Sequence, residues 1–305
     1  MLTEDIREAS KLSKDEWREY TKTVWHIANI TNRAHPAVFP PEIPHRLIKL
    51  FSFVGEKVLD PFAGIGTTAL EAVALGRRGI AVELNPEYVS IIRSALATDA
   101  AGDVHEANSQ SLSFLDDGSV DLVVTSPPYW NKADYGQMEG NLGNVASYTR
   151  FLAELRPVFA EMHRVLRAGR KICVITANVN QHTDHGLLTF PLAADMTVML
   201  RDLGFVMINE LIWSKDKTGG RWGSAGMQRP IFGSYPYPPN FLFKNVHEYI
   251  LVFAKPPVRA STGRTVQSYQ SLMCETEEEP LHQPLANGNG HSEGNGHNGH
   301  GEAEG

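Results

Sequence analysis

The sequence predicts an α/β fold in which a mostly parallel sheet of seven strands ends with an antiparallel last strand. Short apolar runs of strand length alternate with longer segments of helical spacing between residues 44 and 255. A glycine-rich segment, Gly64 to Thr67, joins one strand to one helix, which is typical of ligand-binding parallel sheets. The last two strands have no helix between them, so we expect them to pair antiparallel at the edge of the sheet.

The composition fits a folded protein in a reducing compartment. Of the 305 residues, 42% are hydrophobic, which is enough for a sizeable core. The cysteines, Cys173 and Cys274, lie far apart, and Cys173 sits in an apolar run, which predicts inert thiols and a cytoplasmic protein. No apolar stretch approaches the roughly 18 residues of a membrane span. The charged first twenty residues are also unlike a signal peptide, and no metal site is predicted.

The net charge of -7 is distributed unevenly. Residues 256–305 carry two basic and seven acidic residues, a contribution of -5 that leaves -2 for the rest. Residues 213–247 have a local charge of +4, and local charge is what phosphate groups respond to. We therefore expect an N-terminal arm (1–34), a main domain (35–258) containing an insertion (214–246), and a disordered low-complexity tail (259–305).

The elements follow in order from these patterns. The arm mixes charged and aromatic residues and is expected to form a short helix or arm on the body. Prolines at 36, 40 and 41 enforce an extended path before the first helix of the main domain. Strands are expected at 57–60, 79–83, 104–109, 120–125, 171–176, 205–213 and 247–253, and helices at 44–51, 71–75, 86–96, 147–168 and 190–203.

The glycine loop has two acidic partners. Gly64 and Gly66 let the backbone approach a ligand closely, and the helix start offers free N–H groups. Asp60 ends the strand before the loop, and Glu83 ends the next strand, about twenty residues on, where a carboxylate can accept both hydroxyls of a ribose. The loop alone also fits a structural turn or a nicotinamide site. Together with the two carboxylates it favours a nucleoside-containing cofactor, and Asn108 could bond an adenine edge.

A second loop follows the buried strand 120–124 and reads Thr-Ser-Pro-Pro-Tyr-Trp from Thr125. Pro128 removes a backbone donor and keeps Pro127 out of the helical region, so the strand stops and a stiff loop follows. That loop presents one hydroxyl, fixed carbonyls and two aromatic rings at the carboxyl edge of the sheet. Trp130 fits two interpretations, a stacking surface shared with Tyr129 or a core residue.

The insertion at 214–246 interleaves basic and aromatic residues with glycine and proline. This composition suits contacts with backbone phosphates and stacked bases, and an ordered loop without function is the alternative.

With these segments in place, residues 17–255 resemble the S-adenosylmethionine-dependent DNA methyltransferases that modify the exocyclic N4 of cytosine or N6 of adenine. Residues 60–68 are similar to their cofactor loop and residues 125–129 to their catalytic loop. Residues 35–51 resemble the segment that closes over the methionine end of the cofactor, and residues 247–251 resemble the last strand. The order of the motifs is the one called gamma. The resemblance implies a Rossmann-like class I methyltransferase fold and S-adenosyl-L-methionine as cofactor.

The resemblance also implies roles for individual residues. The catalytic set is Ser126, Pro127, Pro128 and Tyr129. The cofactor-binding set is Phe39, Asp60, Pro61, Phe62, Gly64, Gly66, Thr67, Glu83 and Asn108, the last standing where the family often has an acidic residue. The expected DNA-binding set combines the aromatic and basic candidates Trp130, Lys215, Lys217, Arg221, Trp222 and Arg229.

A serine at position 126 favours cytosine N4, since aspartate or asparagine there is more typical of adenine methylation. Methylation at cytosine C5 is disfavoured because it needs a cysteine nucleophile, and neither cysteine lies in a suitable loop. The expected function is site-specific methylation of cytosine N4 in double-stranded DNA, beside a cognate restriction endonuclease or as an orphan methylase. Adenine N6 methylation, an RNA or protein-amide substrate, a silent DNA-binding protein and a nicotinamide oxidoreductase are the alternatives. The sequence determines neither the DNA target nor the oligomeric state.

Overall fold

Helices cover both faces of a mixed sheet. The computed structural model describes residues 3–30, 32, 37–96, 101–133, 136–215, 237–239, 243 and 245–257, which belong to one compact unit. The predicted tail, 259–305, lies outside the described residues. The helices are α1 (Glu4–Ala9), α2 (Lys14–Tyr20), α3 (Glu42–Phe51), α4 (Thr67–Ala74), α5 (Pro86–Ala95), α6 (Tyr148–Val165) and α7 (Leu192–Asp202). The strands are β1 (Val24–His26), β2 (Lys57–Asp60), β3 (Arg78–Glu83), β4 (Gly102–Glu106), β5 (Val120–Thr125), β6 (Leu166–Thr176), β7 (Val179–Thr183), β8 (Gly186–Phe190), β9 (Val206–Ser214) and β10 (His247–Ala254).

The main sheet has the strand order β1-β9-β10-β6-β5-β2-β3-β4 within the described residues. Strand β10 pairs antiparallel with β6 and β9, and the other neighbouring pairs are parallel. The predicted Rossmann-like α/β class with an antiparallel last strand is therefore confirmed. The predicted number of seven strands is wrong, because the N-terminal arm adds an eighth. Val24 to His26 pair parallel with Ile212 to Ser214, so β1 rather than β9 forms that edge.

Two further differences from the sequence prediction follow β5. Strand β6 begins at Leu166 instead of residue 171, and Gly169, at a φ of 83°, lies inside the strand instead of ending helix α6. Strands β7 and β8 form a separate antiparallel hairpin that the sequence pattern did not predict. The hairpin leaves the carboxyl end of β6, so it lies at the edge of the sheet where parallel sheets bind ligands.

The central strands are apolar because they are covered on both faces. All six residues of β5 are buried, which fits a parallel strand between two layers of helices. Phe151 and Phe159 of α6 pack with α7 on one face, while Ile43 and Leu47 of α3 belong to the cluster on the other. Cys173 is buried in that second cluster, and burial raises the pKa of its thiol, as predicted for an inert cysteine. No described helix has the length and apolarity to cross a membrane.

The N-terminal arm is tied to helix α3. Glu16 of α2 forms an ion pair with Lys49, and hydrogen bonds from Lys49 and from the Ser13 amide lower the pKa of Glu16 to about 2. The Arg46 guanidinium lies over the ring of Tyr20, 5.0 Å from its centroid. The arm is thus joined to the body at α3 as well as through strand β1.

Candidate active site

A cavity of about 1050 Å³ lies at the carboxyl edge of β2, β3 and β5. Open α/β sheets bind their ligands at this edge. Its volume is at the upper end of the roughly 300–1,000 Å³ that ligand pockets usually enclose. Twelve of the predicted site residues line it: Phe39, Pro61, Phe62, Gly64, Thr67, Glu83, Asn108, Ser126, Pro127, Pro128, Tyr129 and Lys215.

The glycine loop has the backbone that only glycine adopts easily. Gly64 and Gly66 have φ angles of 54° and 90°. A Cβ atom on Gly66 would lie 2.9 Å from Cγ1 of the buried Ile92. Gly66 precedes helix α4 as its N-terminal cap and does not itself line the cavity. It brings the backbone of Gly64 and the first residue of the helix, Thr67, to the cavity wall.

Asp60 supports this loop from below. Its Oδ1 accepts hydrogen bonds from the Thr125 hydroxyl, at 2.7 Å, and from the Phe62 amide, at 3.0 Å. The carboxyl is fully buried, and burial raises its pKa to about 6 although both hydrogen bonds lower it. Asp60 does not line the cavity, so the structure corrects the expected cofactor contact to a supporting role. Through Thr125 it joins the glycine loop to the strand that carries the proline loop.

Glu83 lies at the wall of the cavity with its carboxylate fixed by three backbone amides. Oε2 accepts the Gly64 N–H at 2.7 Å, and Oε1 accepts the N–H groups of Leu84 and Asn85 at 2.9 and 2.8 Å. Burial raises the pKa of this carboxyl. Since a carboxylate has about four acceptor positions, one remains on Oε2 for a ligand hydroxyl.

The loop that follows β4 is held close to the glycine loop that follows β2. The Ser109 hydroxyl donates to the Pro61 carbonyl, and Asn108 Oδ1 accepts the Gln110 N–H at 2.9 Å. The Asn108 amide group is packed against Gly140, where an added Cβ would lie 2.5 Å from Nδ2. Gly140 has a φ of 81°, so both its conformation and this contact require glycine. A fixed carboxylate at Glu83 and a fixed amide at Asn108, which line one cavity with Gly64, fit a nucleoside cofactor.

The Ser-Pro-Pro-Tyr loop forms the opposite wall. Ser126 Oγ lies 3.2 Å from the Tyr129 hydroxyl, which donates a hydrogen bond of 2.8 Å to Glu248 Oε2. Glu248 also forms an ion pair with Lys215. The loop is therefore fixed at Tyr129 by Glu248, the second residue of strand β10, which is distant in the sequence. Serine and tyrosine lie where the sequence places them, on the same cavity as the glycine loop.

Trp130 is a core residue. Its side chain is 6% exposed, its Nε1 donates to the Val145 carbonyl at 2.8 Å, and its ring packs against Tyr148 and Phe190. Its φ of 53° turns the chain inward directly after Tyr129. Of the two interpretations of Trp130, the stacking surface is wrong because a ring enclosed in this way offers no free face.

Of the basic insertion at 214–246, the structure describes residues 214, 215, 237–239, 243, 245 and 246. Lys215 was expected to contact DNA phosphates, but its ammonium lies in the ion pair with Glu248 and 4.4 Å from the centroid of the Trp213 ring. Lys215 therefore lies inside the site, and its predicted contact with DNA stays a prediction. The remaining predicted DNA contacts, Lys217, Arg221, Trp222 and Arg229, lie outside the described residues and stay predictions.

Several lining residues were missed by sequence reasoning. Glu248 is the most informative, since a lone acid directly before the apolar run from Tyr249 to Ala254 is a visible signal. Lys132, whose pKa is lowered by burial, lines the cavity and donates to Gln181 at 2.7 Å. Asn180 of the unpredicted hairpin and Asn29 of the arm line it as well, and neither carries a sequence signal that separates it from other surface asparagines.

The sheet order, with its ligand cavity beside the strand-end acid and the proline loop, is the arrangement of the Rossmann-like class I methyltransferases. A family model described as DNA methylase, N6_N4_Mtase, matches residues 2–94 and 120–296. The chain therefore belongs to the N6/N4 DNA methylase family, whose methyl donor is S-adenosyl-L-methionine. The predicted family and cofactor are confirmed.

Individual relatives match over shorter stretches. The chain is similar to the Type II methyltransferase M.BglI of Bacillus subtilis, with 38% identity over 97 residues, 31% of this chain and 28% of that protein. The Type II methyltransferase M.MjaI of Methanocaldococcus jannaschii is 37% identical over 97 residues, 30% of this chain and 32% of that protein. The matched stretch thus spans less than a third of the length of these curated relatives.

Two solved structures are also similar. One is a candidate DNA modification methylase of Thermus thermophilus in complex with S-adenosyl-L-methionine, with 33% identity, 52% of this chain, 57% of that chain and a TM-score of 0.37. The other is an S-adenosylmethionine-dependent methyltransferase of Methanosarcina mazei, with 13% identity, 69% of this chain, 97% of that chain and a TM-score of 0.46. Because both scores are below 0.5, the fold class rests on the strand order and the family match.

Proposed function

We propose that this chain is a site-specific DNA methyltransferase that transfers the methyl group of S-adenosyl-L-methionine to N4 of cytosine in double-stranded DNA. The supporting observation is that Ser126 and Glu83, from the ends of different strands, line one cavity of about 1050 Å³. A cofactor held at Glu83 and a base held at Ser126 would then be neighbours.

The cofactor half of the cavity is the wall formed by the three strand-end loops. Glu83 would accept a ribose hydroxyl, Asn108 would bond the adenine edge, and Phe39 would cover the methionine end. The first residue of α4, Thr67, lines the same cavity, so free backbone N–H groups of the helix start would be near the cofactor. When bound, the cofactor supplies an electrophilic methyl group on a sulfonium centre.

The base half is the wall formed by the proline loop. An exocyclic amine is a poor nucleophile because its lone pair is delocalised into the ring. Hydrogen bonds from its two hydrogens to Ser126 Oγ and the Pro127 carbonyl would draw the nitrogen toward tetrahedral geometry. The prolines fix these acceptors before the base arrives, so little reorganisation is needed. No strong base is required, since the proton can leave after methyl transfer.

Tyr129 is suited to hold a base that has left the duplex. Its ring packs partly against the core and its hydroxyl is bonded to Glu248, so the ring is fixed at both ends. Extruding a base costs a few kcal/mol of unstacking and unpairing, and stacking on an aromatic ring offsets part of that cost.

The choice of cytosine rests on Ser126, by resemblance to family members with serine at this position. M.BglI and M.MjaI are named Type II methyltransferases, and we propose the same class for this chain. It would act beside a cognate restriction endonuclease or as an orphan methylase of the same chemistry. We keep the expectation of a cytoplasmic protein.

The test is incubation of the purified full chain with unmethylated genomic DNA and S-adenosyl-L-methionine, followed by nucleoside digestion and mass spectrometry. We expect N4-methylcytosine, and we expect Ser126→Ala to abolish most of it while calorimetric binding of the cofactor is unchanged. N6-methyladenine as the product would refute the base assignment. Cofactor binding without any methylated base would leave a silent DNA-binding protein as the better description.

A further inference from the structure

A line of hydrogen bonds runs from the start of β10 to the proline loop. Lys215 donates to Glu248 Oε1, Tyr129 Oη donates to Glu248 Oε2 at 2.8 Å, and Ser126 Oγ lies 3.2 Å from Tyr129 Oη. All four residues line the cavity. The line therefore ends at the hydroxyl that faces the proposed substrate amine.

Strand pairing holds the carboxylate of Glu248 in place. Glu248 is opposite Trp213 in the β9–β10 pair, and the Lys215 amide donates to the Val246 carbonyl at 2.8 Å, which extends this pairing. The side chains of Glu248 and Lys215 are each 14% exposed. An ion pair enclosed to this degree, with one member at 4.4 Å from the Trp213 ring, has little freedom to rearrange.

The chemistry of the groups fixes the direction of each hydrogen. A carboxylate only accepts, whereas a phenol has one hydrogen to donate. Since the Tyr129 hydroxyl donates its hydrogen to Glu248, the Tyr129 oxygen is the acceptor in its hydrogen bond with Ser126. The single Ser126 hydroxyl hydrogen is then directed at Tyr129, and the remaining lone pairs of Ser126 Oγ face the cavity.

The direction of this hydrogen bond matters because a serine hydroxyl can act either as a donor or as an acceptor. Aspartate offers only acceptor oxygens, but a serine hydroxyl can instead donate its hydrogen to the lone pair of an amine. Such a bond would occupy the lone pair that has to attack the methyl group. We propose that Glu248 is a positioning residue that acts through Tyr129 to orient the Ser126 hydroxyl, so that Ser126 Oγ accepts from the substrate amine. This rests on the proposed function of the same site.

The substitution Glu248→Gln tests the direction of these hydrogen bonds while keeping the size and shape of the side chain. Its single oxygen would be taken by the Lys215 ammonium, so the amide N–H would face Tyr129 Oη. Tyr129 would then donate to Ser126, and the serine hydrogen would turn to the cavity. Tyr129→Phe removes the link while keeping the ring. Each change should lower kcat roughly 10- to 100-fold, the range expected for one hydrogen bond to a charged group.

The experiment measures kcat and KM for methylation of genomic DNA, and cofactor Kd by calorimetry, for full-length wild type, Y129F, E248Q, S126A and the pairwise double variants. If Glu248 orients the hydroxyl, kcat should fall while KM and the cofactor Kd stay within about twofold of wild type. Each double variant should then be no slower than the slower of its two single variants. A change confined to KM would indicate that Glu248 only seats the ring. Multiplied losses in the doubles, or wild-type kcat in E248Q, would overturn the proposal.

Matched controls separate this effect from general damage. Tyr148→Phe removes another tyrosine hydroxyl bonded to a carboxylate, Asp195 at 2.5 Å, away from the cavity. Glu154→Gln breaks an ion pair on the outside of α6. Both should keep wild-type kcat. If E248Q does not fold, wild-type kcat in Y129F would still overturn the proposal, because the orientation passes through the Tyr129 hydroxyl. Wild type without methylated product would refute the proposed function itself, a result distinct from failure of the orientation.

Discussion

The substitution Gly66→Ala should destabilise the fold through two separable effects. At a φ of 90°, an L-residue pays about 1–2 kcal/mol relative to glycine. The added Cβ would also lie 2.9 and 3.1 Å from Cγ1 and Cγ2 of Ile92, a side chain with no exposed surface. Overpacking of this kind typically costs about 1–3 kcal/mol. We therefore expect the free energy of unfolding to fall by about 2–5 kcal/mol.

Gly55→Ala is the matched control for the first effect. Its φ is 83°, and nothing lies within 4 Å of the position of an added Cβ, so only the backbone cost applies. Urea unfolding followed by circular dichroism measures the free energy of unfolding of both variants. The two values are compared provided that the free energy depends on urea concentration with the same slope. The G66A loss should exceed the G55A loss by about 1–3 kcal/mol. Equal losses would refute the packing of Ile92 against the glycine loop as a reason for glycine at this position.

Three further predictions concern the site. Glu83→Gln should weaken cofactor binding roughly 10-fold or more by calorimetry, since the carboxylate that holds the loop is lost, while Glu87→Gln on the exposed turn of α5 should not change it. Burial raises the pKa of Asp60 from 3.8 to about 6, so protonation of this carboxyl stabilises the fold fully below about pH 4, and this stabilisation is lost as the pH rises through 6. Asp60→Asn should therefore become more stable than wild type across that pH range, by roughly 3 kcal/mol at most. Urea titrations at several pH values measure the difference. Cys173→Ala should methylate DNA within about twofold of the wild-type rate in the mass-spectrometric assay, because N-methylation needs no thiol, and loss of product formation in a folded variant would contradict that chemistry.

The parts of the fold that could be predicted are those in which one local pattern decides the structure. Strand β5 is a run of buried, mostly apolar residues that ends shortly before two prolines, and the loop before α4 contains glycines at two left-handed positions. Both were placed correctly. Strand β1 was not, because a three-residue strand is defined by its partner Ile212 to Ser214 rather than by its own periodicity.

The site was predictable where a residue's role depends on its own loop, and not where it depends on a distant contact. Asp60 ends a strand and looks like a ligand-binding acid, but Thr125 and burial make it a support. Trp130 follows an aromatic in an active-site loop, but Tyr148 and Phe190, brought by α6 and β8, enclose it. These contacts join positions far apart in the chain, which no local spacing encodes.

Glu248 reaches the site because of strand direction. The parallel strands β2, β3 and β5 bring their last residues to the ligand edge, whereas an antiparallel neighbour must bring its first residues there. The antiparallel direction of β10 was predicted, so the same reasoning locates His247 and Glu248 at the active edge. A single acid at the start of that strand is then positioned to meet a hydroxyl from the proline loop, and Tyr129 is the side chain that meets it. The antiparallel last strand thus carries a residue of the proposed chemistry as well as closing the sheet.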